Sequence, residues 1–287
     1  MQKLGITPTI FLIGLNRSGT TAITQAFLNN TSTEVYRDPG KYMYRVSGKI
    51  DFSHFFRPPV NDKVKARFIK QSIGQYNAEL CTIPLFPVGP NRPEFIRSLH
   101  TIFLLREPYE VWNSWSAMTR WLNSTTDRSV VEKWEQIQRD YGIPKGWGEP
   151  HLLSLCYQYL YATYNFVKYV APGAFTILSY EHWVADPYKV TKWICERTEV
   201  HFVEAMVNWD IQFGHNCDRL VIDGFSGYGD IDSIERSFIH RSIRNSHGIT
   251  KMASPDLHTG TDVNIGLTEA DRIYRLMLGE FSLQYSG

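Results

Sequence analysis

The stretch TIFLIGLNRSGTT, from Thr9 to Thr21, decides the fold of this chain. Its first five residues are apolar or β-branched, which is typical of a buried strand in a parallel sheet. A glycine turn follows, and the residues as far as Leu28 indicate a helix whose first turn carries Thr20 and Thr21. A strand, a glycine loop and a helix start in this order direct backbone N–H groups and the positive helix end at an anion, usually a phosphate. The sequence therefore predicts an anion site at this loop.

The loop has the glycine spacing of a P-loop but lacks the P-loop lysine. Gly14 and Gly19 fit the pattern G-x-x-x-x-G, and Thr20 stands where nucleoside triphosphatases have the lysine that reaches the β- and γ-phosphates. Arg17 is the only cation in the loop. This chemistry suits a 5′-phosphate better than a triphosphate with its Mg²⁺. A merely structural turn is the alternative interpretation.

A second candidate anion site follows another apolar segment. Leu99–Leu105 is predicted to be a buried strand that ends at Arg106, and Pro108 suits the first turn of the helix that follows. Arg106 would then lie at the carboxyl end of a strand, where open α/β sheets bind ligands. Ser114 comes eight residues later, and a side chain there leans back toward the helix start. The alternative is that Arg106 only forms an ion pair with Glu107.

Together these stretches resemble the sulfotransferases that use 3′-phosphoadenosine 5′-phosphosulfate (PAPS) as donor. Residues 17–21, RSGTT, resemble the 5′-phosphosulfate loop of that family, and residues 104–108, LLREP, with Ser114 resemble its 3′-phosphate motif. Residues 176–187 resemble a third segment, a strand that ends in Tyr-Glu before a later Asp-Pro. The resemblance spans essentially the whole chain. It implies a three-layer α/β fold like that of P-loop NTPases, with a central parallel sheet flanked by helices, in a single sulfotransferase domain over residues 1–287.

The resemblance also implies which residues hold the donor. The loop amides, the threonine hydroxyls and Arg17 would bind the 5′-phosphosulfate, Arg106 and Ser114 the 3′-phosphate, and Tyr180 would lie near the adenine. Residues 240–248 are similar to a basic segment that closes over the 3′-phosphate, although a solvated basic helix explains them equally well. The predicted donor-binding residues are Arg17, Ser18, Gly19, Thr20, Thr21, Arg106, Ser114, Tyr180, Arg241 and Arg244.

The sequence departs from the family pattern at three places. Asn16 replaces the proline that usually precedes the loop, and Ala22 stands where cytosolic members have a tryptophan that stacks on adenine. The K-x-x-H-like catalytic segment of cytosolic members has no clear counterpart. The identity of the catalytic base is therefore left open between several residues.

Four side chains are candidates for the chemistry itself, in addition to Arg17. Asp38 corresponds in place to a carboxylate that acts as general base in several sulfotransferases, and it must come within hydrogen-bond reach of the acceptor's proton to do so. His54 and Glu79 are alternative bases, and Asp38 is also an ordinary turn residue before Pro-Gly. Lys70 resembles a lysine that contacts the transferring sulfonate, with a solvated lysine at a strand end as the alternative.

Composition limits the class of protein. The chain has 287 residues, of which 43% are hydrophobic and 21% charged, as in a globular enzyme, and its formal net charge of +1 gives no indication of nucleic acid or a membrane surface as partner. Without a signal peptide or a long apolar run, we expect a cytoplasmic protein with no membrane insertion. The four cysteines are scattered, which favours free thiols, and the absence of a metal-ligand motif predicts a metal-independent reaction. A homo-oligomer is compatible with the sequence but not indicated by it.

The sequence thus predicts a PAPS-dependent sulfotransferase that moves the sulfonate group to a hydroxyl or amine of a small-molecule acceptor by in-line displacement. Tailoring of a secondary metabolite is the expected role. Two other functions compete with this one. The first is a P-loop kinase acting on a small molecule, and the second is a non-catalytic binder of a 3′,5′-bisphosphonucleotide.

Overall fold

The computed structural model describes residues 7–39, 62–73, 85–86, 92–124, 126, 128, 132, 150–208 and 261–286. The strands in this part of the chain are β1 (Thr9–Leu15), β2 (Thr33–Arg37), β3 (Ala66–Ile73), β4 (His100–Leu105) and β5 (Phe175–Ser179). The helices are α1 (Thr20–Leu28), α2 (Arg92–Arg97), α3 (Pro108–Ser124), α4 (Pro150–Val170), α5 (Tyr180–Ala185), α6 (Pro187–Arg197) and α7 (Thr261–Ser286), with a short 3₁₀ helix at Glu204–Met206.

The five strands form one parallel sheet in the order β2-β3-β1-β4-β5. The strand β1 is central, and its register places Gly14 opposite Ser72 of β3 and Leu104 of β4. Because all the strands run the same way, the loops that follow β1 and β4 meet at one edge of the sheet. The predicted α/β fold, with a central parallel sheet flanked by helices, is confirmed.

Side-chain alternation along β1 divides the core into two layers. Phe11 and Ile13 pack on one face of the sheet with Trp115 of α3 and with side chains of α4 and α7. Ile10 and Leu12 pack on the other face with residues of α1, α5 and α6. All four β1 side chains have no exposed surface. An apolar run without polar alternation is what a strand needs when helices cover both faces of its sheet.

The last helix begins earlier than the sequence predicts. We expect a start at Leu267 with Thr268 as N-cap, but α7 starts at Thr261 and Thr268 lies within it. Packing of Gly266 on α4 accounts for the difference. A Cβ at this position would lie 2.4 Å from Cβ of Pro150, so only glycine allows the two helices to approach this closely. The hydroxyl of Ser154 also donates to the Gly266 carbonyl. Close packing on α4 therefore stabilises helical turns that local sequence does not indicate.

A similar difference occurs after β5. The predicted strand ends at Tyr180, but β5 ends at Ser179 and Tyr180 is the first residue of α5. Ser179 caps this helix, since its side chain accepts a hydrogen bond from the His182 N–H. None of the helices in the described ranges has the length and apolar character needed to cross a bilayer.

Candidate active site

The loop after β1 forms a tight turn that ends at the start of α1. The backbone N–H of Ser18 donates to the Leu15 carbonyl at 3.1 Å, and the Ser18 hydroxyl donates to the same oxygen at 2.6 Å. Arg17 and Gly19 have positive φ angles of 69° and 97°. Gly19 is the N-cap and has no side chain to bond the first N–H groups of α1, which have no intrahelical acceptor. The loop thus has the form expected of an anion site.

Tyr180 lies directly against this loop. A Cβ on Gly19 would lie 2.3 Å from Cδ2 of Tyr180, so only glycine allows the ring to approach so closely. The guanidinium carbon of Arg106 lies 4.8 Å from the centre of the same ring. Burial raises the pKa of the Tyr180 phenol, which therefore stays protonated at neutral pH. The ring joins the loop to the end of β4.

The two predicted anion-binding motifs are in direct contact. One terminal nitrogen of Arg106, Nη1, donates to the Arg17 carbonyl at 2.8 Å. The side chain of Arg17 in turn donates from Nε to Oγ of Ser114 at 3.2 Å. The indole N–H of Trp115 donates to the Asn16 carbonyl at 2.9 Å, which fixes the loop against α3. Three residues predicted to bind the donor, Arg17, Arg106 and Ser114, are therefore brought together.

Arg106 is buried and incompletely paired. Only 7% of its surface is exposed. Its Nη2 lies 3.4 Å from Oε2 of Glu110, while its Nε is buried without a hydrogen-bond partner. The alternative of an ion pair with Glu107 is not found, because the Glu107 carboxylate instead accepts from the Glu110 N–H at 2.8 Å. Buried N–H donors almost always have an acceptor, so the free Nε of Arg106 has the chemistry to bind an added anion.

Asp38 and Lys70 meet on the β3 side of the loop, whereas Arg106 lies on its β4 side. Nζ of Lys70 donates to Oδ2 of Asp38 at 2.7 Å. The other carboxylate oxygen, Oδ1, accepts from the backbone N–H of Ser72 at 2.7 Å and from its hydroxyl at 2.6 Å. The exposed fractions of the Lys70 and Asp38 side chains are 2% and 11%. The interpretation of Lys70 as a solvated lysine is therefore wrong, because this ammonium group is buried against a carboxylate.

The sheet register explains how these groups come to lie beside the loop. Lys70 pairs with Leu12 and Ser72 with Gly14, the last residue but one of β1 before the loop. Asp38 directly follows β2, the neighbour of β3, and has a φ of 47° that turns the chain at this point. A Cβ on Gly14 would lie 3.0 Å from Oγ of Ser18, so the strand end is also tightly packed.

Ser72 was missed as a site residue, although a signal for it exists. Side chains two residues apart in a strand point to the same face of the sheet, so Ser72 accompanies Lys70 toward the same carboxylate.

The positions of His54, Glu79, Arg241 and Arg244 lie outside the described residues. Within the part of the chain that is described, no group of three or more His, Cys, Asp and Glu side chains is arranged to hold a metal ion. Two of the four cysteines, Cys156 and Cys195, are described, and both are buried.

No family model and no curated protein matches the chain. Several solved protein structures do match the chain. A sulfotransferase from Alicyclobacillus acidocaldarius is 14% identical over 74% of this chain and 94% of its own, with a TM-score of 0.40. The sulfotransferase domain of the Synechococcus PCC 7002 olefin synthase is 15% identical over 77% of this chain and 82% of its own, with a TM-score of 0.40.

The mouse sulfotransferase SULT7A1, solved as a complex with PAP, is 15% identical over 70% of this chain and 62% of its own, with a TM-score of 0.38. In all three comparisons the identity is 15% or lower and the TM-score is 0.40 or lower.

Proposed function

We propose that this chain is a sulfotransferase that moves the sulfonate group of PAPS to a hydroxyl or amine of a small-molecule acceptor. The observation that carries the proposal is the contact between its two anion-binding motifs. Arg106 donates to the Arg17 carbonyl, and Arg17 donates to Ser114. The loop after β1 and the residues after β4 are therefore parts of one site. A donor with anionic groups on the 5′ and 3′ positions of one ribose suits such a double site.

Each half of the site has donors for one of these groups. The N–H groups at the start of α1, the hydroxyls of Thr20 and Thr21, and Arg17 would hold the 5′-phosphosulfate. Arg106 and Ser114 would hold the 3′-phosphate, to which the unpartnered Nε–H of Arg106 would donate. This 3′-phosphate distinguishes PAPS from ATP, and no lysine follows Gly19 as a triphosphate would require.

The transfer itself needs a base and stabilisation of negative charge. As the acceptor oxygen or nitrogen bonds to sulfur, the bond from sulfur to the 5′-phosphate oxygen breaks, and the acceptor's proton passes to Asp38. The 3′,5′-bisphosphate leaves with the electron pair of the broken bond. The loop amides and Arg17 would stabilise the charge that appears on the leaving phosphate. Lys70, held at 2.7 Å from Asp38, would orient this base and face the sulfonate.

Calorimetric titration tests the donor site. We expect adenosine 3′,5′-bisphosphate to bind in the micromolar range and ADP weakly. The variant Arg106→Ala should bind both nucleotides equally, because the 3′-phosphate loses its main cation. Arg272→Ala is the control, since Arg272 is 56% exposed on α7 and pairs with Glu269. Tighter binding of ATP with Mg²⁺ than of the bisphosphate, unchanged in Arg106→Ala, would overturn the proposal in favour of the kinase.

Transfer from labelled PAPS to a panel of phenols, alcohols and amines tests the reaction. Product formation with any of these acceptors supports an enzyme and defines the acceptor class, of which a secondary metabolite in the cytoplasm is our expectation. Tight binding of the bisphosphate without transfer to any member of the panel would instead support the non-catalytic binder.

A further inference from the structure

The peptide group between Arg106 and Glu107 is held at both of its polar atoms by side chains from other helices. Its carbonyl oxygen, that of Arg106, accepts a hydrogen bond from the hydroxyl of Tyr157 on α4. Its N–H, that of Glu107, donates to Oε1 of Glu181 on α5 at 3.0 Å. This peptide joins β4 to α3, where regular hydrogen bonding of the strand has ended. Its plane is therefore set by two side chains that are distant in sequence.

Glu181 is itself fixed by further hydrogen bonds. Its second oxygen, Oε2, accepts from the hydroxyl of Ser179 at 3.1 Å. The hydroxyl of Tyr274, on α7, lies 3.4 Å from the same oxygen. The carboxylate thus joins the end of β5 and the last helix to the peptide that follows Arg106. Neither oxygen is free to turn toward solvent without breaking a contact.

Tyr157 is suited to be a permanent donor. Its side chain is 1% exposed, and burial raises the pKa of its phenol well above the ordinary value. The hydroxyl therefore keeps its proton throughout the physiological pH range. A buried carbonyl that loses such a donor is left unsatisfied, and rotation of the peptide toward another donor would relieve that cost.

We propose that Tyr157 and Glu181 are positioning residues that fix the Arg106–Glu107 peptide and thereby aim the Arg106 guanidinium at a 3′-phosphate. The inference rests on the proposed function. The guanidinium donates to the Arg17 carbonyl, lies 3.4 Å from the Glu110 carboxylate and stands over the Tyr180 ring. The position of the Arg106 main chain sets the rest of the orientation of this side chain. Rotation of this peptide would move the guanidinium away from the Arg17 carbonyl and weaken recognition of the 3′-phosphate more than that of the 5′-phosphate.

The test compares the affinity for adenosine 3′,5′-bisphosphate with that for adenosine 5′-monophosphate, in the full-length chain. The variant Tyr157→Phe removes the hydrogen bond to the Arg106 carbonyl, and Glu181→Met removes the acceptor of the Glu107 N–H together with that of Ser179 and Tyr274. Both keep most of the side-chain volume. We expect each to reduce the preference for the bisphosphate by about fivefold, with the affinity for the monophosphate unchanged. Glu181→Gln keeps an acceptor oxygen for the Glu107 N–H and should retain the wild-type preference.

Two control variants make the same chemical changes away from this peptide. Tyr164→Phe removes a hydroxyl two turns further along α4, where the ring packs on Phe103 and Phe175. Glu280→Met removes a carboxylate of α7 that pairs with Lys168 of α4 at 2.7 Å. Both should keep the wild-type preference. A reduced preference in the first two variants is then due to the Arg106–Glu107 peptide, and not to the loss of a tyrosine hydroxyl or a glutamate in general.

Hydrogen exchange of the Glu107 amide provides a second readout that needs no nucleotide. We expect faster exchange in Glu181→Met and wild-type exchange in Glu280→Met. An unchanged preference in Tyr157→Phe and Glu181→Met overturns the inference, as does failure of both to fold, because the residues are then only structural. If the wild type itself does not prefer the bisphosphate, the proposed function fails and the inference fails with it.

Discussion

Lys70 and Asp38 form a buried ion pair, with Nζ of the lysine 2.7 Å from Oδ2 of the aspartate. The pair joins the middle of β3 to the residue after β2, beside the loop that follows β1. A second buried pair, Arg67 with Glu34 at 2.9 Å, joins the same two strands three residues earlier. The two pairs have similar burial, and only the first lies next to the candidate site.

Replacement of Asp38 should separate catalysis from stability. We expect Asp38→Asn to lower kcat by about 10²–10⁴-fold, because a general base contributes that much. It should also destabilise the fold by roughly 3–5 kcal/mol, because Lys70 is left buried without its counter-ion. Turnover with PAPS and urea unfolding measure the two effects. Glu34→Gln is the matched control, and it should lose similar stability while keeping kcat.

The double variant Asp38→Asn/Lys70→Met sharpens this prediction. Removal of both charges should restore most of the lost stability, because no buried charge is left unpaired. It should restore none of the activity. Normal turnover in Asp38→Asn would assign the base elsewhere, with His54 and Glu79 as the next candidates to replace.

Gly19 and Gly173 both have positive φ angles, of 97° and 87°, but their surroundings differ. A Cβ on Gly173 would have nothing within 4 Å, whereas one on Gly19 would overlap the Tyr180 ring. We expect Gly173→Ala to cost about 1 kcal/mol for the backbone conformation alone. Gly19→Ala should cost roughly 1–3 kcal/mol more and abolish bisphosphate binding. Equal melting temperatures and nucleotide affinities in the two variants would contradict this account of the loop.

Two glycines of α7 should respond in opposite directions to the same substitution. Gly266→Ala should destabilise by roughly 1–3 kcal/mol, because its Cβ would lie 2.4 Å from that of Pro150. Gly279 has nothing within 4 Å of its Cβ position, so Gly279→Ala should stabilise by about 0.5–1 kcal/mol through helix propensity. Chemical denaturation measures both changes, and a stabilised Gly266→Ala would show that α7 does not pack as closely on α4 as described.

His100 makes stability depend on pH. Burial, with a smaller effect of the Arg197 charge, lowers its pKa from 6.5 to about 4, and its Nε2 lies 2.7 Å from Oγ1 of Thr176. Between pH 6.5 and 4 the unfolded chain therefore binds a proton that the folded chain does not. This contribution to stability is complete above pH 6.5 and is lost as the pH falls toward 4, by about 3 kcal/mol in total.

Urea unfolding of wild type and His100→Gln across this range measures the effect. The wild type should lose about 3 kcal/mol more than the variant between pH 6.5 and 4, and the two curves should run parallel below that. Parallel curves over the whole range would show that His100 is not the group responsible.

Much of the fold could be predicted from local signals. The apolar run from Thr9 and the glycines after it predict β1, the loop and α1, and Arg106 before Pro108 predicts the end of β4 and the start of α3. These signals work because strand, turn and helix preferences act within a few residues. They fail at Gly266, where packing on Pro150 extends a helix through a residue that locally disfavours one.

By itself, the sequence determined the parallel α/β class, the loop after β1 and most of the residues of the candidate site. The tertiary structure alone decided which of them meet: Arg17 with Ser114, Lys70 with Asp38 and Ser72, and the peptide after Arg106 with Tyr157 and Glu181. These contacts join residues far apart in the chain. They depend on the order of the strands, which places β3 between β1 and β2 and β4 on the other side of β1. The hydrophobic periodicity of the sequence would be the same for every order of the strands in the sheet, because it records only which face of a strand or helix is buried.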